Sequence, residues 1–213
     1  MNVEPLEVYK NGDKYTAFPE PDDVFGRELE KSHFLPLGLI HLAKPGEKDV
    51  LVAVPFCDEA GCIGNVNRGP TIGDYWLTYS LKDGKWSVDC SPDELIYCDY
   101  YPKESREKYS KNKEYFSQFG VLSKDSDKEL FTFDCFASSY SNWYARIGDH
   151  LKHDLSPPVD EDERHVTIYD DSGDKFQYLG HAEVCLYARP MAAQLHVFYL
   201  DKLKKVLIIT EYT

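Results

Sequence analysis

A chain of 213 residues with 42% apolar and 29% charged residues has material for a substantial core and the composition of a folded protein rather than a disordered one. Its 37 acidic against 24 basic residues leave a net charge of −13, so nucleic-acid phosphates and anionic membranes would repel it. Neither nucleic acid nor membrane is expected as a partner, whereas a basic protein surface is favoured.

The 16 tyrosines and 11 phenylalanines suit half-buried sheet faces, where a ring packs and a hydroxyl stays wet. No opening stretch joins a basic segment to an apolar one. The longest apolar runs, 50–57 and 206–209, are too short to span a bilayer, so a cytoplasmic protein with reduced thiols is expected.

In chain order, residues 6–10 and 14–18 read as strands, and the Asn11-Gly12-Asp13 between them is hairpin chemistry. Asp22 or Asp23 is placed to cap a short helix to about Lys31. Residues 37–43 and 50–56 form a second strand pair around Pro45-Gly46, and the unbroken apolar run 50–54 predicts a central strand. The stretch 57–74 holds four glycines before Asp74 and exceeds ordinary connection lengths, which marks it as a functional loop.

Residues 75–81 and 85–90 flank Asp83-Gly84, the clearest two-residue hairpin of the chain, and 94–101 alternates like a further strand. Pro102 opens a helix that Gly120 closes, with Tyr109, Phe116 and Phe119 as a thin apolar stripe. After a strand at 129–136, Ser138 or Ser139 is placed to cap a helix to about His153, its apolar face made by Tyr140, Tyr144, Ile147 and Leu151. Residues 154–164, with Pro157-Pro158 and four consecutive carboxylates, read as a surface linker inside one domain of 213 residues. Strands at 165–170, 175–179 and 182–188 follow, then a closing hairpin of 194–200 and 206–213. Its second arm, Val206-Leu-Ile-Ile209, is apolar without alternation, which demands cover on both faces; deleting the last eight residues should abolish folding. The fold class is therefore α+β, predominantly antiparallel sheet built from hairpins, with two or three helices packed on one side.

Candidate chemistry is sparse. Cys57 and Cys62, with two carboxylates between them, are the first metal candidates, but zinc needs two further ligands and tighter spacing. His150 and His153, three apart on the expected helix, are the second pair; charges complementing a helix C-terminus are the preferred explanation. No phosphate loop, dinucleotide fingerprint or nucleophile elbow occurs, and no cofactor is expected. The acidic residues Asp160, Glu161, Asp162, Glu163, Asp170 and Asp171 are the candidate partner-binding set. The expectation is an acidic binding protein, with an immunity or antitoxin-type protein that neutralises a basic partner as one concrete form. A small hydrolase or metal-dependent enzyme with its site in the 57–74 loop is the competing class, and a carbohydrate-binding or scaffold module is the third.

Overall fold

The computed structural model describes residues 5–43, 48–55, 69–91, 94, 102–122, 128–140, 142–159, 163–188 and 193–212. The first elements are β1 (Leu6–Val8), β2 (Tyr15–Ala17), α1 (Pro21–Val24), α2 (Glu28–His33), β3 (Phe34–Ile40) and β4 (Val50–Pro55). Next come β5 (Trp76–Lys82), β6 (Lys85–Val88), α3 (Pro102–Phe119), β7 (Phe131–Phe133), β8 (Ala137–Ser138) and α4 (Asn142–Ile147). The chain closes with β9 (Lys152–Leu155), β10 (His165–Tyr169), β11 (Gln177–Glu183), α5 (Val184–Tyr187), β12 (Ala193–Leu200) and β13 (Lys205–Tyr212).

The architecture is α+β and antiparallel. A seven-stranded sheet runs β1-β7-β11-β12-β13-β5-β6, and two three-stranded sheets run β2-β3-β4 and β8-β10-β9. The large sheet is the middle layer. Along β13 the side chains alternate between two cores: Val206 and Ile208 join one, Leu207 and Ile209 the other. The partner strand β12 does the same, with Leu195, Val197 and Tyr199 on the first side and Phe198 and Leu200 on the second. A pleated strand sends successive side chains to opposite faces, so a run that must be apolar at every position is one with a core on each side.

The first core is covered by β2-β3-β4 together with Tyr109 and Phe116 of α3. The second is covered by β8-β10-β9 and by Trp143 and Ile147 of α4. The two helices expected from sequence thus lie on opposite faces of the sheet. Among the described residues no helix is long and apolar enough to cross a membrane.

The Asp83-Gly84 turn forms as expected, with φ of +52° and +79° at its two positions. Helix α3 spans the expected residues, but Phe119 leaves its apolar stripe: it is 60% exposed, while Tyr109 and Phe116 are buried. The Asn11-Gly12-Asp13 hairpin does not form. β1 pairs with β7 in the large sheet, whereas β2 pairs with β3, and Asn11 Oδ1 accepts the Ala17 amide instead of turning a ribbon. Non-local pairing overrides the local turn signal here. Strand β4 is buried along its length, yet it is the edge of its sheet rather than the centre, because burial comes from layers above and below it.

The helix expected to reach His153 stops at Ile147, followed by a 3-10 turn over Gly148–His150. Gly148 has φ of +50°, which breaks the helical path, and Leu151 onward is extended into β9. Residues 175–188 make one strand and a short helix instead of two strands. Most of the expected strand at 94–101 lies outside the described residues.

Candidate functional site

The cover of the second core carries four of the eight large apolar side chains that are exposed among the described residues. In β10, Val166 and Ile168 are buried in the core, while His165, Thr167 and Tyr169 alternate with them and are half-buried. Phe136 stacks on the His165 ring at 4.1 Å and 11°. Across the ladder, Thr167 faces Asp154 and Tyr169 faces Lys152. The Asp154 carboxylate accepts from the Tyr169 hydroxyl, which raises that phenol above its ordinary range.

Four large apolar side chains of this layer stand in solvent: Phe136 is 44% exposed, Tyr140 76%, Leu155 39% and Val159 51%. Between Asp134 and Lys175 the sequence carries ten carboxylates against four cations, so a fifth of the chain supplies almost half of its net charge. A pocket of about 240 Å³ opens between this sheet and the large one, walled by Phe136, His165, Phe176, Tyr178 and Phe198, with Lys175 alongside.

Beneath that pocket runs a buried polar chain. The Tyr178 hydroxyl lies 3.0 Å from His196 Nδ1, and His196 Nε2 lies 3.0 Å from Glu211 Oε2. With a carboxylate as acceptor, Nε2 carries the hydrogen and Nδ1 accepts from Tyr178. Burial pushes the Tyr178 phenol far up, so it stays protonated and donates. The Trp143 ring lies 5.2 Å from His196, tilted by 36°, and its own Nε1 has no hydrogen-bond partner among the described residues. Two flanking groups are also displaced: burial, with His196 close by, holds His181 below 6.5, and burial raises the Glu183 carboxyl above 4.5.

The residues singled out from sequence are distributed unevenly. Glu163, Asp170 and Asp171 belong to this layer, Glu163 before one end of β10 and the aspartates beyond the other. Of the expected linker 154–164, Asp154 and Leu155 belong to β9; next to them Arg164 Nη1 donates to the Ser156 carbonyl and Ser156 Oγ accepts the His165 amide. Asp160, Glu161 and Asp162 lie outside the described residues.

Asp170 is committed to its own turn. Desolvation opposes its ionisation, but hydrogen bonds from Ser172 Oγ and the Asp174, Ser172 and Gly173 amides prevail and hold it below the usual carboxylate range. Asp174 pairs with Lys202. Asp171 is exposed, with its backbone carbonyl taking Lys152 Nζ. The carboxylate of Asp171 therefore faces solvent more openly than that of Asp170.

Of the metal candidates, His150 and His153 are described, and they belong to different elements. Cys57 and Cys62 lie outside the described residues, as does 57–68 of the expected functional loop. His150 sits in the 3-10 turn, its ring 5.9 Å from Trp76, while His153 is in β9 with Nδ1 bonded to the Leu151 carbonyl and Nε2 3.3 Å from the Tyr144 hydroxyl. The broken helix removes the shared face that their spacing implied. Among the described residues no group of three or more His, Cys, Asp or Glu could hold a metal ion.

No protein-family model, curated protein or solved structure matches this chain. Its function is read from its own surface.

Sequence reasoning did not single out the Tyr178–His196–Glu211 chain. Part of it was accessible: in the β12–β13 hairpin, Gln194 faces Glu211 and His196 faces Ile209, so His196 and Glu211 are diagonal neighbours on one face. Tyr178 arrives from β11, past the register shift at Gly180, which no local pattern announces.

Proposed function

We propose that this protein is a non-catalytic binding module whose outer β8-β10-β9 layer engages a basic protein surface. What supports the reading is four exposed large apolar side chains on one layer, within a stretch of sequence, 134–175, whose carboxylates outnumber its cations ten to four. Exposed apolar clusters rimmed by polar groups mark interaction surfaces, and aromatic anchors beside a pocket carry most of the energy of such contacts. The carboxylates steer a cationic partner and reject acidic ones. An immunity or antitoxin-type protein that occupies a basic toxin is the concrete form of this proposal.

The test is capture of the partner from the native host, followed by titration calorimetry with the purified pair. The partner should be basic, and affinity should fall steeply as salt shortens the screening length from about 10 Å to about 3 Å. Phe136→Ala and Tyr140→Ala should each weaken binding about tenfold or more, and Tyr140→Ala, at a ring 76% exposed, should leave thermal stability unchanged. An acidic partner, or one whose affinity ignores both salt and these substitutions, would overturn the reading.

A further inference from the structure

On the opposite face of the large sheet lies a second surface. A cleft of about 700 Å³ opens between the segment after β1 and the C-terminal half of α3. That volume falls within the range of small-molecule sites. Its base is formed by Phe18 and Phe116, buried rings 5.5 Å apart. Two exposed aromatics also line it, Tyr9 at 40% and Phe119 at 60%. Phe119 rests on Tyr115 with ring centroids 4.6 Å apart, so it is held in place rather than loose.

Phe18 is in the left-handed region at φ of +55°, a costly conformation for a bulky residue. It is pinned there by its amide's bond to the Leu37 carbonyl and by ring contacts with Tyr109 and Tyr187. The surrounding fold thus maintains local strain at a ring that lines the cleft.

The charged residues lining this cleft, in a chain of net charge −13, are Lys10 and Lys113, both cationic. Lys113 holds Glu20 at 2.7 Å, but Glu20 is 64% exposed, and such surface pairs are weak enough to be exchanged for another carboxylate. Lys10 makes no ion pair among the described residues.

We propose that this cleft binds a small organic anion with an aromatic or medium-chain aliphatic body, its acid group set by Lys10 and Lys113 and its body lying between Tyr9 and Phe119. The anion sits at the lysine end because the carbonyls at the C-terminus of α3 repel negative charge.

Anilinonaphthalene sulfonate is a direct probe, titrated by fluorescence against the folded full chain. Decanoate should displace the dye at concentrations about fivefold or more below those needed for decanol, and decyltrimethylammonium should be weaker still. Lys10→Gln and Phe119→Ala should each weaken dye binding about fivefold or more, with circular dichroism and melting temperature unchanged. Tyr140→Ala, on the other face, should leave it unaltered. Equal displacement by the cationic surfactant, parent-like affinity in both cleft variants, or a loss with Tyr140→Ala as large as with Phe119→Ala would overturn the proposal.

Discussion

Replacing His196 with leucine should be among the most damaging single changes on the second face of the sheet. The imidazole is 4% exposed and satisfies two other buried groups, the Tyr178 hydroxyl and the Glu211 carboxylate, the latter residue 6% exposed. Leucine fills most of the volume but takes away the acceptor of the Tyr178 hydroxyl and a donor to the Glu211 carboxylate. Taking a donor away from a buried carboxylate leaves its charge less well compensated, which costs roughly 3–5 kcal/mol, and the Tyr178 hydroxyl belongs within that figure rather than on top of it. For a chain of this size each kcal/mol moves the melting temperature by about 2–4 °C, so a fall of roughly 6–20 °C is expected. Glu211→Gln is the informative control. It keeps an oxygen to accept from Nε2–H without a buried charge, and should cost about 1 kcal/mol or less. Thermal melts followed by far-ultraviolet circular dichroism would read both. Equal destabilisation by the two variants, or a His196→Leu protein melting within a degree or two of the parent, would refute the argument that this chain is a satisfied buried network.

Two further outcomes follow from the same geometry. Gly180 has φ of +131° in β11, and a Cβ there would stand 1.9 Å from the Thr132 carbonyl oxygen, so Gly180→Ala should cost more than about 3 kcal/mol and yield little soluble protein; a parent-like denaturation midpoint would contradict the register at that strand crossing. Because burial holds folded His181 below 6.5, the unfolded chain takes up that proton first on acidification. Stability should therefore fall as pH drops below about 6.5, and His181→Phe should flatten that limb. Glu183, whose carboxyl is raised, works in the opposite sense and blunts the slope, so Glu183→Gln should steepen it. Urea midpoints across that pH range check both signs.

Much of the layering was legible in the residues because alternation and its absence report directly on cover. Val206–Ile209 could satisfy its pattern only between two cores, and Asp83-Gly84 could serve only a tight turn. Pairing partners were less legible. Asn11-Gly12-Asp13 has hairpin chemistry, yet β1 is taken by β7 more than a hundred residues later, a choice made by packing rather than by the turn. The unbroken run in β4 correctly announced burial but not centrality, since layers above and below bury an edge strand equally well. The candidate surface was half visible: the carboxylates stood out in sequence, but Tyr140 precedes α4 instead of joining its apolar face, and Leu155 lies in a strand where a linker was expected. Gly148 ends that helix early and turns the following residues into a strand, which also separates His150 from His153.

One sheet serves two covers, and amide hydrogen exchange at Val206, Leu207, Ile208 and Ile209 tests this most directly. These amides belong to the strand shared by both cores, so they should open only with the whole molecule. Their exchange free energies should equal the unfolding free energy measured with denaturant. Exchange through a smaller, local opening would contradict it, because a strand locked between two packed layers has no way to open alone.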